Sequence, residues 1–451
     1  MLSGAWFLVV FILVIGLMVA AIAFLRIHPF TSIISTAFLL GLLCVPLDEV
    51  VEVVTGGFGS TFGTIGLIVL IGSLIGVILE RTGAALRMSD SVIRIVGRKH
   101  PDAGLAIMGW IASIAIFCDS GFVILDPVRR AIVKRLHYSS VSTTVALATG
   151  LFISHCLIPP TPGPVAAAGI LGLENHMLTI MFYGAIVSIP ALVVACHFAR
   201  FIGKYVKDKR EQNMDENEAV KTYEELVASY GRLPGAALSF APIVLPLILM
   251  AVSSFCSMAR FDIPLIAFLG KPVIAISVGF LASLELLIQT DKMKELYKLT
   301  NDSLQVAAPI LFITGAGGAL GAVVGRSPLI PFFTAHANVL QSLGFLFPFL
   351  FAAILKTAQG SSTVAITTTA GVVGPLLGTL GFDTPELQAL AVTAMGAGAM
   401  TVSHVNDSYF WVVLNFGELT KTIDGYKTHV LSTLLVGLTS IITVIILGQF
   451  V

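Results

Sequence analysis

Ile114-Ala-Ile-Phe-Cys-Asp119-Ser120-Gly121-Phe-Val-Ile-Leu125 sets a carboxylate, a hydroxyl and a glycine in the middle of an apolar run. Ala353-Ile-Leu-Lys356-Thr-Ala-Gln359-Gly360-Ser361-Ser362-Thr363-Val-Ala-Ile366 does the same in the second half of the chain. An ionisable side chain in hydrocarbon is costly, so each such residue is a candidate for function. Two interrupted apolar segments at corresponding places in two halves of a membrane chain point to a solute-binding site at mid-membrane.

The surrounding composition supports a membrane setting. Apolar residues make up 56% of the 451, and charged residues only 12%, about half the share usual in soluble domains. Apolar runs of about 20 residues, each long enough to span a bilayer, recur over 5–25, 30–47, 60–80, 139–172, 177–201, 235–257, 272–289, 303–325, 386–417 and 429–450. The first run lacks a basic leader and a cleavage site, and reads as a retained span. Net charge is zero and no basic domain offers itself to nucleic acid. The five cysteines lie unpaired in apolar segments, as small packing residues do. No Gly-x-x-x-x-Gly-Lys-[Ser/Thr] loop and no zinc-spaced His or Cys set occurs, so no cofactor is expected.

Basic residues orient the spans. Clusters at 81–101, 129–137, 200–232 and 291–298, with Arg26, Lys421 and Lys427, fall on one side, read as cytoplasmic. Of the 26 Lys and Arg, only Arg260, Lys271, Arg326 and the intramembrane Lys356 fall elsewhere. Both termini are then extracytoplasmic. Segment 102–128 is flanked by basic clusters on both sides, so it must enter and leave by one face. As helix it extends about 40 Å, too short for two crossings of about 30 Å each. It is expected to be a re-entrant hairpin with its tip near Asp119, with Asp126 near the solvated cytoplasmic end. Segment 344–378 is expected to do the same from the opposite face. Segments 81–101 and 326–343 could lead into the hairpins as interfacial arms or be solvated loops.

The halves align. After each hairpin comes a small-residue helix ending in Ser-His and a helix-breaking stretch, first Ser154-His155-Cys-Leu-Ile-Pro159-Pro160-Thr161-Pro162-Gly163-Pro164, then Ser403-His404-Val-Asn406-Asp407-Ser408. Proline breaks the first and a polar run the second. Five spans per half is odd, so the second copy is inverted. The fold class is therefore an all-α polytopic membrane protein of two inverted repeats, 1–202 and 233–451, each with a hairpin and a broken helix (139–172 and 386–417), joined by a hydrophilic cytoplasmic linker, 203–232.

Candidate site residues follow from these breaks. Ser120, Gly121, Thr161, Gln359, Gly360, Ser361, Ser362, Thr363 and Asn406 offer hydroxyls, amides and free backbone N–H groups at half-helix ends, which attract anions. Lys356 either meets a substrate carboxylate or neutralises an acidic partner. Asp119, Asp407, His155 and His404 can change charge and are the candidates for proton coupling. Each has a plainer alternative, a helix cap or a hydrogen-bonded interior residue.

At these motifs the chain resembles the gluconate:proton symporter (GntP) family, within the ion-transporter superfamily. The likeness runs nearly end to end and rests on Phe117-Cys-Asp119-Ser-Gly121-Phe-Val-Ile-Leu125, the two Ser-His stretches and Ala358-Gln359-Gly360-Ser361-Ser362-Thr363-Val-Ala365. It implies a symporter of the bacterial inner membrane, taking gluconate or a related sugar acid together with a proton. It also implies an elevator-type pairing of scaffold and transport domains, and a lipid-embedded homodimer. Three rivals remain open: another small hydroxylated substrate such as a uronate or hydroxylated amino acid, a passive solute channel, and an intramembrane enzyme using Ser154 and His155. The last is disfavoured because neighbouring residues on a helix point in different directions.

Overall fold

The computed structural model describes all residues except 1–3, 24, 26, 89, 90, 92–99, 115, 137, 207–224, 226, 229, 232, 259, 260, 262, 330, 333–340, 406, 418 and 420, and leaves undescribed the side chains of some helical positions, Gln359 among them. About half of each arm expected over 81–101 and 326–343, and most of the 203–232 linker, lies outside the described residues.

Among the described residues the chain is helical without strands. Six helices are long and apolar enough to cross a bilayer, or seven counting the bent helix Val50–Arg81. That is fewer than the ten spans expected. Pro29–Cys44 is short at 16 residues, and Pro385–Met400 is only the first leg of a span that stops at a polar break. Gly4–Ala23 is apolar throughout, but Trp6–Ile22 within it counts among the shorter apolar helices.

Both expected hairpins are pairs of helices packed against each other. Pro101–Ala112 ends at Ser113, whose hydroxyl donates to the Ile116 carbonyl at 3.0 Å, and the chain returns as Cys118–Leu136. The return arm continues well beyond residue 128. Leu346–Gln359 turns at Gly360, whose φ of 91° is left-handed and suits glycine, and returns as Ser362–Val373. Both broken helices are present too: Ser140–Leu157 with Pro162–Ile170, and Pro385–Met400 with Ser408–Phe416.

The packing repeats between halves. In each, the first hairpin arm lies on the first leg of the following broken helix, and the return arm lies on the second leg of the other half's broken helix. The first contact is made through matching glycines. A Cβ on Gly150 would sit 2.1 Å from the Ala106 carbonyl oxygen, and one on Gly398 would sit 2.1 Å from that of Phe349. Only a residue without Cβ lets the two backbones approach so closely.

Outside this unit, Val50–Arg81 and Leu296–Gly325 pack side by side and antiparallel. At about 48 and 45 Å both exceed the hydrocarbon thickness. Arg81 meets Glu295 at 2.6 Å at one end, and Arg326 meets Glu49 at 2.6 Å at the other. These pairs are too exposed to contribute much stability, but they mark the two helix ends. Lys292 joins the first end, donating to the carbonyls of Arg81 at 2.9 Å and Tyr230 at 3.3 Å.

One contact is not repeated. The second hairpin's return arm packs closely on Leu296–Gly325, backbone to backbone at Gly371 and Gly317. The first hairpin has no such seat on Val50–Arg81. A cavity separates them, with Ile68, Gly72 and Ser73 on one wall and Phe117, His155 and Thr161 on the other.

Asp126 departs from its expected solvated position. It is 2% exposed, and accepts from Arg129 at 2.7 Å and from Arg130 at 2.6 Å. Arg129 also donates to the Ser140 hydroxyl at 2.8 Å, and Arg130 to the Phe416 carbonyl at 2.9 Å. The network ties the first hairpin to both broken helices, which excludes water from the carboxylate. Asp102, at the start of the same hairpin, is also buried and pairs with Arg200.

Candidate functional site

The four chain breaks meet around Ser140–Leu157, every residue of which is buried. Each break exposes the N-terminus of a half-helix, at Cys118, Pro162, Ser362 and Ser408. They meet in crossed pairs, because each return arm packs on the other half's broken helix.

The first pair carries both carboxylates. Asp119 stands in the first turn of its helix and accepts from the Ser408 hydroxyl at 3.2 Å. Asp407 caps the other helix, accepting from the Tyr409 backbone N–H at 3.0 Å. A negative side chain at a helix N-terminus is favoured by the free N–H groups and the dipole. The two carboxylates differ in their partners. Asp407 is buried and ion-paired with Lys356 at 2.6 Å, whereas no Lys or Arg pairs with Asp119 among the described residues.

Lys356 is fully enclosed. Its ammonium also donates to the Gly360 carbonyl and lies 5.2 Å from the centre of the Phe152 ring. The Ser403 hydroxyl donates to Asp407, and His429 Nε2 lies 3.0 Å from that hydroxyl. The chain of contacts from Lys356 to His429 thus joins the second hairpin, the broken helix and the final span. Of the two roles the sequence allows Lys356, the structure places it against an acidic partner.

The second pair of N-termini carries no carboxylate. Thr161 precedes Pro162, but its hydroxyl donates back to the Ile158 carbonyl at 2.5 Å and does not cap the helix. Ser361 caps the other, accepting from the Val364 N–H at 3.3 Å. The two ends are in direct contact, since a Cβ on Gly163 would lie 3.6 Å from Thr363 Cα. Ser361 and Thr363 are half-buried and Ser362 is buried. Ser120 is half-buried, while Gly121 is buried and packs on Leu151.

The two Ser-His motifs are used differently. His155 is buried between Phe117 and Phe152, with ring centres 6.3 Å from each, and its Nδ1 has no protein partner. His404 is half-buried, its Nε2 2.9 Å from the Thr357 carbonyl. Ser154 bonds back to the Leu151 carbonyl of its own helix at 3.4 Å, not to His155. Asn406 and the Gln359 side chain lie outside the described residues. Sequence reasoning missed Phe152, which touches Lys356, His155, Tyr409 and His429, and missed His429 itself. An aromatic in a buried apolar helix and a lone histidine heading an apolar span carry no signal of their own. Ser403 was visible in its motif without an assigned role.

Comparisons with known proteins bear on the fold and the family. The fold resembles a solved transporter, YdaH of Alcanivorax borkumensis, described as having an unusual topology, with a TM-score of 0.67 at 15% identity over 93% of this chain and 97% of that one. The chain is 29% identical to a gluconate permease of Zymomonas mobilis, covering 98% of this chain and 97% of that one. It is 30% identical to the Gnt-II system L-idonate transporter of Escherichia coli K12, covering 83% of each. The profile of the GntP family permeases matches residues 6–451, and with hairpins and broken helices present from end to end, this chain belongs to that family of multi-pass inner-membrane permeases.

Proposed function

We propose that this permease imports gluconate or a closely related sugar acid with a proton, by alternating access. The observation that carries the reading is the unequal use of the four half-helix N-termini. Two are neutralised by Asp119 and Asp407. The other two carry no charged cap: the Pro162 end offers the Gly163 N–H between two prolines, and the Ser362 end is capped by the neutral Ser361 hydroxyl with Thr363 beside it. A sugar acid brings one carboxylate and several hydroxyls. Its carboxylate suits these two N-termini, which carry no negative charge, and its hydroxyls suit Ser361, Thr363 and Ser120. Lys356 is already engaged by Asp407, so the attraction for the anion comes from the helix ends. Gluconate and L-idonate, for which these two relatives are named, have this chemistry.

Asp119 is the proposed proton carrier, because it is the carboxylate without a cationic partner. His155 is the second candidate, with a free ring nitrogen on the cavity wall. The crosswise packing of the halves supports an inverted repeat. It also supports an elevator in which hairpins and broken helices move together against Val50–Arg81 and Leu296–Gly325. The cavity beside the first hairpin, against the tight seat of the second, supports access from the first hairpin's side, read as the cytoplasm.

Purified protein in liposomes tests the reading. Labelled gluconate should accumulate when the lumen is alkaline, without ATP, and protonophore should abolish accumulation. Entry that only equilibrates would favour a channel, and accumulation that follows sodium at constant pH would remove the proton assignment. Competition with L-idonate, a uronate and a hydroxylated amino acid ranks the substrates.

Topology can be checked separately in a cysteine-free background. His100 is exposed just ahead of the first hairpin, and Gln341 is exposed ahead of the second. A cysteine at position 100 should escape an impermeant thiol reagent applied outside, and one at 341 should react. External labelling at position 100 would turn 102–128 into an ordinary span.

A further inference from the structure

Lys356 bends back onto the end of its own helix, and the groups that receive its ammonium are those a small monovalent cation would use. The helix Leu346–Gln359 ends there, so its negative pole faces the charge. The Gly360 carbonyl, freed by the left-handed turn at the hairpin tip, is one ligand. Asp407 Oδ2 at 2.6 Å is the second, and the Phe152 ring closes a further side at 5.2 Å. The Ser403 hydroxyl stands on the same carboxylate oxygen. Unwound carbonyls and half-helix C-termini are the groups with which transporters hold coupling ions, and an aromatic face also attracts cations. The ammonium links the hairpin tip to the broken helix, two separate elements. A diffusing ion would have to arrive before that link could form, whereas a tethered one is always in place.

We propose that Lys356 is a built-in cation occupying a monovalent-cation site between the second hairpin tip and Asp407, and that removing its side chain leaves a site that takes sodium. The purpose assigned to the site rests on the transport reading above, but the binding it asserts does not. In the wild type the site is filled by the chain itself, so neither stability nor transport should depend on sodium. In Lys356→Ala the carbonyl and carboxylate lose their cation and a space opens between them. An ion that binds only the folded state raises its stability in proportion to occupancy.

The test uses full-length protein in detergent, melted in sodium chloride or in choline chloride at equal ionic strength. Choline is too bulky for the site. Tm of the wild type should be the same in both salts. Tm of Lys356→Ala should rise by several degrees as sodium replaces choline, and should saturate. The double variant Lys356→Met/Asp407→Asn has no net charge to compensate and should be flat. In liposomes, Lys356→Ala should take up gluconate at least tenfold faster in sodium than in choline. A folded single variant that ignores sodium overturns the proposal, as does a sodium response equal to that of the wild type. If Lys356→Ala folds in neither salt, the neutral double variant decides. Wild-type transport by it overturns the proposal, and loss of transport by the folded protein upholds it. Failure of both variants to fold in either salt also overturns it, because a cation site should be rescued by its cation. Melting needs no sugar acid, so a wrong substrate would leave the Tm result standing.

Discussion

Substitution of asparagine for Asp119 should convert concentrative uptake into equilibration. With one proton per substrate and the membrane potential clamped, each pH unit of gradient supports at most about tenfold extra accumulation, or about 1.4 kcal/mol. The amide of Asp119→Asn cannot carry that proton, so the internal-to-external ratio should fall to about one at any imposed gradient. Exchange of labelled for unlabelled gluconate at equal concentrations should persist, because the amide keeps an oxygen to accept from Ser408. The same substitution at Asp407 should behave differently. It leaves the Lys356 ammonium buried without its counter-charge, and breaking a buried pair costs about 3–5 kcal/mol. Asp407→Asn should therefore lower the yield of folded protein and abolish exchange as well as accumulation. Restored folding on adding Lys356→Met would identify the lone charge as the cause. Full pH-driven accumulation by Asp119→Asn would move the proton to His155 or His404.

The second large effect is expected at Gly150 and Gly398. An alanine at either position puts a methyl group 2.1 Å from a carbonyl oxygen of the adjoining hairpin arm. That oxygen belongs to helix backbone and cannot rotate away, so the hairpin must shift as a whole. Overpacking of this kind costs about 1–3 kcal/mol and sometimes more, and here the displaced arm leads to the site. Gly150→Ala should move the tip that holds Asp119, and Gly398→Ala the tip that holds Gly360. Both should lower Tm by several degrees and cut uptake at least tenfold. Gly172→Ala is a control for the assay. No atom lies within 4 Å of its Cβ position, but its φ of 72° adds modest strain. It should cost clearly less than either, and equal losses in all three would show that the close approach is not what matters.

Much of this was legible in the chain. Polar tips in apolar runs located both hairpins, because a membrane tolerates such residues only at enclosed, irregular backbone. Prolines 159–164 and the polar run 403–408 located both broken helices, because neither can continue an ordinary helix. What composition could not reveal is which apolar helices are interior. Ser140–Ile170 has a mean hydropathy of 1.7 and its apolar stretch is wholly buried, while Ala236–Ser253 reaches 2.2 with 22% buried. Lipid tails are as apolar as a protein interior, so hydropathy does not separate the two.

Pairing was the other decision left to tertiary structure. The sequence by itself determined a membrane chain with two broken, polar-tipped elements per half, since backbone satisfaction and charge cost act locally. It also presented Asp119 and Asp407 as equivalent carboxylates, and His155 and His404 as equivalent histidines. Folding made them unequal. Packing the second hairpin's first arm on its own half's broken helix brought Lys356 to Asp407, while no Lys or Arg pairs with Asp119 among the described residues. Packing of Ser140–Leu157 against the start of the final span brought Phe152 and His429 into the site from helices with no polar signature. Coulombic contact depends on distance in space, and residues 356 and 407 become neighbours only when the second hairpin packs beside its broken helix.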